Sequence, residues 1–415
     1  MKTSQFTKVK PVADEKVLLD DSLRPLWMFV SWNRFLPDIS GQEENRTFYI
    51  VRSLMISSVV LIALSYTLFE SFQFVTETLK NESKHNGVIV QCFLFAGLYS
   101  LVSQYQLCMH QKEIREFLKG WKMFEMKSLK YSRGIKNKKA IKLFYAMYLV
   151  IICQIILTVF FWNFWYKSAP FFLSYLELFR KYLSTIQLCL ITTFVQYFVH
   201  VYTFMAEIVP SLFYYHAGCA VEDIRRELEH IVEVFYSKSS NLKQPALLTD
   251  GVYAASKRHV ARFRCLWEKY ETITRWVTRA NELFGTLLIF CYSGTFILCS
   301  FTSYMAIHNF SQEPFLSLGF TGVFLLLALR ISFVNRLASQ MIFSCSKLKL
   351  ATALILSQKW DVLPKEDRSL LIHFHTRLNK EELAASPFYM YSVNPNNLLS
   401  MFSLIVTYAA VFLQF

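Results

Sequence analysis

The stretch TYAAVFLQF, residues 407–415, closes an apolar segment that starts near residue 397 and is long enough to cross a bilayer. Five apolar residues separate its Thr-Tyr pair from its final Gln-Phe pair, and no polar tail follows. A membrane helix of this kind raises two questions: on which side of the membrane it ends, and what its few polar side chains face.

The composition predicts a helical membrane protein. Of the 415 residues, 54% are hydrophobic and 18% are charged, whereas a soluble protein has about 25% charged residues. The mean hydropathy is +0.30. Backbone polar groups in lipid must bond within each spanning segment, so we expect an all-α membrane fold. Seven stretches can span the bilayer: residues 54–74, 87–108, 143–165, 183–216, 283–307, 315–335 and 397–415.

The distribution of Lys and Arg among the loops predicts the orientation. The segments on one side of the membrane hold 36 of these residues, and the alternate loops hold 5. Because Lys and Arg accumulate on the cytoplasmic side, we expect the N-terminus inside the cell and the C-terminus outside. Sequons at Asn81 and Asn309 then lie outside the cell and are candidate glycosylation sites.

Long inside segments carry a helical pattern of their own. Charged and apolar residues alternate at helical spacing in residues 219–236 and 251–283. We expect these segments to extend the fourth to sixth spans into a cytoplasmic helical bundle. The reversed orientation, without a cytoplasmic tail, argues against a G-protein-coupled receptor.

The last span carries a polar stripe. On a helical wheel Ser400, Ser403, Thr407 and Gln414 lie within a sector about 60° wide. Such a stripe could line a contact between helices, as small polar residues often do. It could instead face water in a pore shared by several subunits, where Val411 and its apolar neighbours would form a constriction that gates by dewetting.

The closing motif resembles that of insect gustatory receptors, a family of seven-span ligand-gated channels related to insect odorant receptors. That family ends in Thr-Tyr, five hydrophobic residues and Gln-Phe, as TYAAVFLQF does. The approach SPFYMYSVNPNNLLSMFSLIV, residues 386–406, and the reversed topology are also similar to the family. The rest of the chain carries no further motif of the family.

The resemblance implies a non-selective cation channel of four subunits around a central pore. Gln414 and Phe415 would form its narrowest part, with Thr407 and Tyr408 positioning the helix. The seventh helix would be split, with residues 365–385 as its cytoplasmic half and residues 386–396 as the connection. The implied regions are a cytoplasmic N-terminus with an interfacial helix (1–53), six spans with a ligand pocket in their outer half (54–335), an anchor (336–396) and the pore-lining helix (397–415).

Aromatic and polar residues in the spans are candidates for the ligand pocket. Trp162, Trp165 and Tyr166 could form an interfacial aromatic belt or wall a pocket for a flat ligand. Gln196 and His200 could face that pocket or bond to a neighbouring helix.

Two charged residues lie toward the cytoplasmic ends of their spans. For Glu207 and Arg330 we favour a structural ion pair, or separate contacts in the anchor bundle, over ligand binding.

The sequence therefore predicts a taste receptor channel in the plasma membrane of chemosensory neurons. We expect a small-molecule tastant, membrane lipid and related receptor subunits, in a homotetramer or heteromer, as partners, without nucleic acid or a G protein. No catalytic or metal-binding constellation is visible, so we expect neither an enzyme nor a cofactor. Ala409 replaces the acidic residue common in sugar sensors, which favours a bitter or other ligand. A sugar receptor, a transporter and a metabotropic receptor are the alternatives.

Overall fold

Long helices make up the computed structural model of the chain. It describes residues 98–107, 109–128, 134–165, 185–240, 249–311, 314–358, 365–387 and 390–414, together with residues 51, 55 and 58. No strand occurs in these ranges. The predicted interfacial helix, nearly all of the first span and part of the second lie outside the described residues.

Within the described residues, seven helices follow the helical residues 98–107. They are α1 (Gln111–Ser128), α2 (Gly134–Trp165), α3 (Thr185–Ser240), α4 (Thr249–His308), α5 (Pro314–Gln358), α6 (Lys365–Arg377) and α7 (Pro395–Gln414). The predicted third to seventh spans lie mainly in α2, α3, α4, α5 and α7. Within the described residues, Ala261–His308 and Ser317–Gln358 are long and apolar enough to cross a membrane, and Phe144–Leu157 and Pro395–Val411 are shorter apolar helices.

Three of the helices are far longer than a bilayer is thick. Helices α3, α4 and α5 contain 56, 60 and 45 residues. At 1.5 Å per residue they measure about 84, 90 and 68 Å, against about 30 Å of hydrocarbon. The amphipathic segments 219–236 and 251–283 therefore continue the apolar parts of α3 and α4 as uninterrupted helices.

Helix α3 lies at the centre of the fold. Every residue from 203 to 224 is buried, and the helix packs against α2, α4 and α5. A helix that is apolar on all sides is stable only inside such a bundle. The other long helices surround α3, and α7 packs on α4 and α5 at the edge of this core.

A glycine brings α3 and α5 close together. A Cβ atom on Gly218 would lie 3.0 Å from the carbonyl carbon of Gln340 and 3.0 Å from the backbone nitrogen of Met341. Because both neighbours are backbone atoms, neither can turn aside as a side chain would. A side chain at this position would therefore force the two backbones apart by a few tenths of an ångström.

Helix α6 is shorter than the helix that the family resemblance implied. The implied cytoplasmic half of a split seventh helix covers residues 365–385, whereas α6 ends at Arg377. The side chain of Asn379 accepts a hydrogen bond from the Glu381 N–H, at 3.0 Å, and so supports a turn. The Asn281 side chain bonds the backbone of Ala384 and Ser386, which holds this stretch in a non-helical conformation.

Replacing Gly218 with alanine is expected to lower the melting temperature of the detergent-solubilised protein. Alanine favours a helix over glycine by up to about 1 kcal/mol, so any loss must come from the helix crossing. Gly294→Ala is the matched control, because its Cβ would lie an ordinary 3.5 Å from the Tyr99 side chain. Equal melting temperatures for the two variants would contradict the close crossing.

Asp367, in the first turn of α6, gives the stability a pH dependence. Its side chain is buried, and burial, with a smaller contribution from Glu366, raises its pKa from 3.8 to about 6. Between these two values the folded protein binds more protons than the unfolded chain, so stability falls as pH rises from about 4 to about 6.

Asp367→Asn is therefore expected to raise the melting temperature at pH 7.5 and to lose this advantage near pH 4. The amide cannot ionise, so it avoids the cost of a buried charge. The exposed Glu381, changed to Gln, should keep the wild-type pH profile. A profile for Asp367→Asn that runs parallel to the wild type from pH 4 to 7.5 would refute the assignment.

Candidate functional site

Helix α7 begins with a capped first turn. Asn394 precedes Pro395, the first helical residue, and its Oδ1 accepts a hydrogen bond from the Asn397 N–H at 2.9 Å. Asparagine is among the preferred residues at this capping position, and proline is favoured at the first helical position. The direction of α7 is therefore set by the chain immediately before it.

The inner face of α7 packs against the chain's own core. Ile405 and Ala409 are 1% and 3% exposed, and Ile405 belongs to a cluster with Cys299 of α4 and Leu327 of α5. The Tyr408 ring meets Phe296 of α4 edge to face, with ring centroids 6.0 Å apart. This face anchors α7 to its own subunit.

The polar stripe lies on the opposite, exposed face. Ser400, Ser403 and Thr407 are all exposed in the single chain. Thr407 Oγ1 donates to the Ser403 carbonyl at 2.9 Å, and Ser400 Oγ donates to the Asn396 carbonyl at 3.1 Å. These bonds stay within α7, so the stripe faces outward from the subunit, where water or another subunit can meet it.

The outer face continues toward the end of the helix. Ala410 and Val411 are exposed, and Gln414 is the last residue of α7. The environment of the Gln414 side chain and the whole of Phe415 lie outside the described residues. The gate at these two residues therefore remains a prediction.

A buried charge cluster joins three helical segments. Arg330 of α5 donates to both carboxylate oxygens of Glu207 of α3, at 2.5 and 2.8 Å. The Tyr99 hydroxyl donates to Glu207 Oε1 at 2.6 Å. The side chain of Glu207 is 1% exposed and that of Arg330 is 5% exposed. The predicted structural ion pair is therefore confirmed. Nothing in the sequence pattern indicated Tyr99 as its third member.

The candidate pocket residues fall in two helices. Trp162 and Trp165 lie at the end of α2, and Gln196 lies in α3. The side-chain surroundings of these three residues, and the whole of Tyr166, lie outside the described residues. His200 of α3 is buried, and its Nε2 has no hydrogen-bond partner among the described residues. The pocket role of these residues remains a prediction.

The structure describes one of the two glycosylation candidates, Asn309. Asn81 lies outside the described residues. Asn309, just after α4, is 8% exposed, and its Nδ2 donates to the Met305 carbonyl at 2.8 Å. A glycan on this nitrogen would require the side chain to leave its bond and turn outward.

A cavity of about 550 Å³ lies among α1, α3 and α4, in their extensions rather than in the predicted outer pocket. Its wall includes the ion pair of Lys269 with Glu227, whose charged atoms are 2.6 Å apart. The charged and histidine side chains in its lining are Lys127, Glu227, His230, Arg262, Glu268 and Lys269. Such a lining differs from the mostly apolar walls of small-molecule pockets.

Asn281 of α4 is a functional candidate that the sequence reasoning missed. It is 1% exposed and bonds both Tyr214 of α3 and the stretch that leads to α7. A polar residue just before the apolar run of the fifth span was the available signal. The described residues contain no group of His, Cys, Asp or Glu that could hold a metal ion.

Glu207→Gln is expected to lower the melting temperature strongly, because it leaves the Arg330 guanidinium buried without a counter-charge. Breaking a buried pair in this way costs about 3–5 kcal/mol. The same substitution at Glu113, which pairs with His110 on an exposed surface, is the control and should change little. A melting temperature for Glu207→Gln within a degree or so of the control would show that the pair is not essential.

Comparisons with known proteins identify the family of the chain. A family model described as 7tm Chemosensory receptor matches residues 36–415. Two solved structures of the insect olfactory receptor OR5 from Machilis hrabei share the fold at 14% sequence identity, covering 95% of this chain and 99% of that chain. The TM-score is 0.63 for the complex with eugenol and 0.60 for the other structure. No curated protein sequence gives a significant match.

The family model spans nearly the whole sequence, which confirms the resemblance drawn from the closing motif at the level of the insect chemosensory receptors. These proteins are multi-pass membrane receptors and channels, not enzymes. On this evidence, the chain belongs to the 7tm chemosensory receptor family.

Proposed function

We propose that this chain is a subunit of a gustatory receptor, a ligand-gated non-selective cation channel opened by a bitter or other small-molecule tastant. Four subunits, identical or related, surround a pore lined by α7, with Gln414 and Phe415 at its outer mouth. The chain crosses the plasma membrane of a chemosensory neuron seven times, with its N-terminus in the cytoplasm. The uneven distribution of Lys and Arg among the loops supports this orientation.

The outward polar face of α7 carries the proposal. Ser403 and Thr407 point away from the subunit, while Ile405 and Ala409, on the same turns, pack against its core. The Ser400 and Thr407 hydroxyls already donate within the helix, so lipid would leave only their acceptor positions without a partner, whereas water can donate to them. When several copies of α7 surround a common axis, this face contacts water, and the assembly has a conduction path.

An exposed apolar surface supports assembly into an oligomer. Phe343, Leu350 and Leu354 of α5 are 56%, 61% and 46% exposed. They lie beyond the predicted sixth span, which ends at residue 335, so the prediction places them outside the lipid. Exposed apolar residues outside the membrane are typical of a surface that another subunit covers.

The proposed ligand pocket lies in the outer half of the bundle. His200, buried with an unsatisfied Nε2 among the described residues, could bond a polar group of the tastant. Trp162, Trp165, Tyr166 and Gln196 are its proposed neighbours in the pocket. The likeness to an olfactory receptor bound to eugenol concerns the fold alone, but it makes eugenol a useful compound in a first screen.

The first experiment is calcium imaging of cells that express only this chain, during exposure to bitter compounds, sugars and eugenol. A compound that raises calcium is then applied to excised patches in the absence of G protein. Unitary currents support the channel. Currents that require G protein would indicate a metabotropic receptor, and substrate counter-flux without unitary currents would indicate a transporter.

Cysteine accessibility tests the face of α7. In patches held open by the activating compound, a water-soluble charged thiol reagent is expected to reduce the current of Ser403→Cys severalfold, because the pore narrows around the modified side chain. Ile405→Cys is the matched control on the same helix, since that position is 1% exposed and faces the subunit core. Its current, like that of the wild type, should not change.

The opposite pattern would reject the proposed pore face. An active Ser403→Cys receptor whose current is unaffected by the reagent would mean that this face packs against another helix. Modification of Ile405→Cys alone would mean that the pore lies on the other side of α7.

A further inference from the structure

A single buried amide connects the two longest helices to the segment that starts α7. Asn281 of α4 accepts a hydrogen bond from the Tyr214 hydroxyl of α3 at 2.7 Å and a second from the Ser386 N–H at 3.0 Å. Its Nδ2 donates to the Ala384 carbonyl at 3.1 Å. Both acceptor positions of the amide oxygen are therefore occupied, and so is one of its two N–H donors.

The amide holds two backbone positions two residues apart. Because one bond is to the C=O of Ala384 and the other to the N–H of Ser386, they fix the direction of the chain as well as its place. Tyr214 is fully buried and Asn281 is 1% exposed, so water does not compete for these bonds. A buried polar group that loses its partner costs about 1–3 kcal/mol.

Two further hydrogen bonds connect the residues held by this amide to the first turn of α7. Ala385, between the two held residues, accepts a hydrogen bond from the Val393 N–H at 2.8 Å. Val393 directly precedes Asn394, whose side chain caps α7. The bond between Ala385 and Val393 closes the loop 385–393, which is held to α4 by the Asn281 bonds and by the Tyr391 hydroxyl, 3.5 Å from the Leu288 carbonyl oxygen. Val393 leads directly into the capped start of α7.

We propose that Tyr214 and Asn281 form a clamp that positions α7, so that relative movement of α3 and α4 reaches the pore through the loop 385–393. The inference rests on the proposed channel function and adds to it the element by which the bundle controls α7. Tyr214 and Asn281 are positioning residues. They act through the backbone of Ala384 and Ser386 and touch neither ligand nor ion.

Tyr214→Phe is the most selective test, because it removes one hydroxyl and keeps the ring. The matched control is Tyr292→Phe, which also removes a tyrosine hydroxyl bond between two long helices, here to Asn335 of α5 at 3.2 Å. That bond does not involve the backbone of the loop, and the substitution keeps the contact of the Tyr292 ring with Tyr391 of the loop, whose ring centroids are 5.9 Å apart. Both variants are prepared as the full-length receptor in detergent, and monodispersity is checked first.

Hydrogen–deuterium exchange gives the first readout. Tyr214→Phe is expected to speed exchange at residues 385–394 and in the first turn of α7 about tenfold. Tyr292→Phe should leave these amides within about twofold of the wild type. Unchanged protection of the loop in a folded Tyr214→Phe receptor would overturn the clamp, as would equal deprotection by both variants.

Asn281→Ala provides a second variant and, combined with Tyr214→Phe, a double-mutant cycle. It should deprotect the same amides, and adding Tyr214→Phe to it should cause no further change, because the two residues act through the same bonds. Additive effects would show that Tyr214 acts elsewhere. If Tyr214→Phe does not fold, Asn281→Ala alone decides between deprotection of the loop and no change.

The basal Na⁺ current, normalised to receptor at the cell surface, gives the functional readout. Tyr214→Phe should change it at least about fivefold, the lower end of typical coupling between sites, and Tyr292→Phe should not. An unchanged current with a deprotected loop would refute the role in gating. A wild-type chain that carries no current under any condition would instead refute the channel, while the exchange experiment still tests the clamp.

Discussion

The carboxylate of Glu207 lies in the middle of a helix that is buried on every side. A charge in such a place is tolerated only with a counter-charge and hydrogen bonds. Arg330 supplies two bonds from α5 and Tyr99 a third from the helical residues 98–107. Because a bidentate pair accepts little displacement, this cluster fixes the register of three helical segments, and the packing of the bundle follows from that register.

Helix α7 differs from the central helices because, among the described residues, its packing is confined to one face. The inner face packs on α4 and α5, and the outer face carries hydroxyls bonded within the helix itself. In the described part of the chain, the core around α3 is closed, whereas α7 keeps an exposed face. Phe343, Leu350 and Leu354 of α5 are exposed in the same way. Both surfaces fit the proposed assembly of several subunits around α7.

Between the core around α3 and the start of α7 the chain leaves the helical conformation, and hydrogen bonds from polar side chains act together with the burial of Leu383, Ala385 and Val393 in the core. Asn281, Asn379 and Asn394 each bond the backbone of residues 379–397. A non-helical stretch beside a membrane bundle needs such partners, because its backbone groups would otherwise be unsatisfied. The bonds of Asn281 to this stretch and to Tyr214 give the start of α7 a defined position relative to α3 and α4.

The sequence by itself determined the fold class, the family and the approximate positions of the long helices. Long apolar runs and helical periodicity depend only on local composition, and the pattern TYAAVFLQF is read directly from the chain. The sequence also indicated a structural role for Glu207 and Arg330, as an ion pair or in separate contacts, and the structure shows the ion pair. Only the tertiary structure decided that Tyr99 completes this pair, that α6 ends at Arg377, and that Asn281 holds the loop before α7. These depend on contacts between residues about a hundred positions apart, and no local pattern encodes which distant side chain will reach a given backbone group.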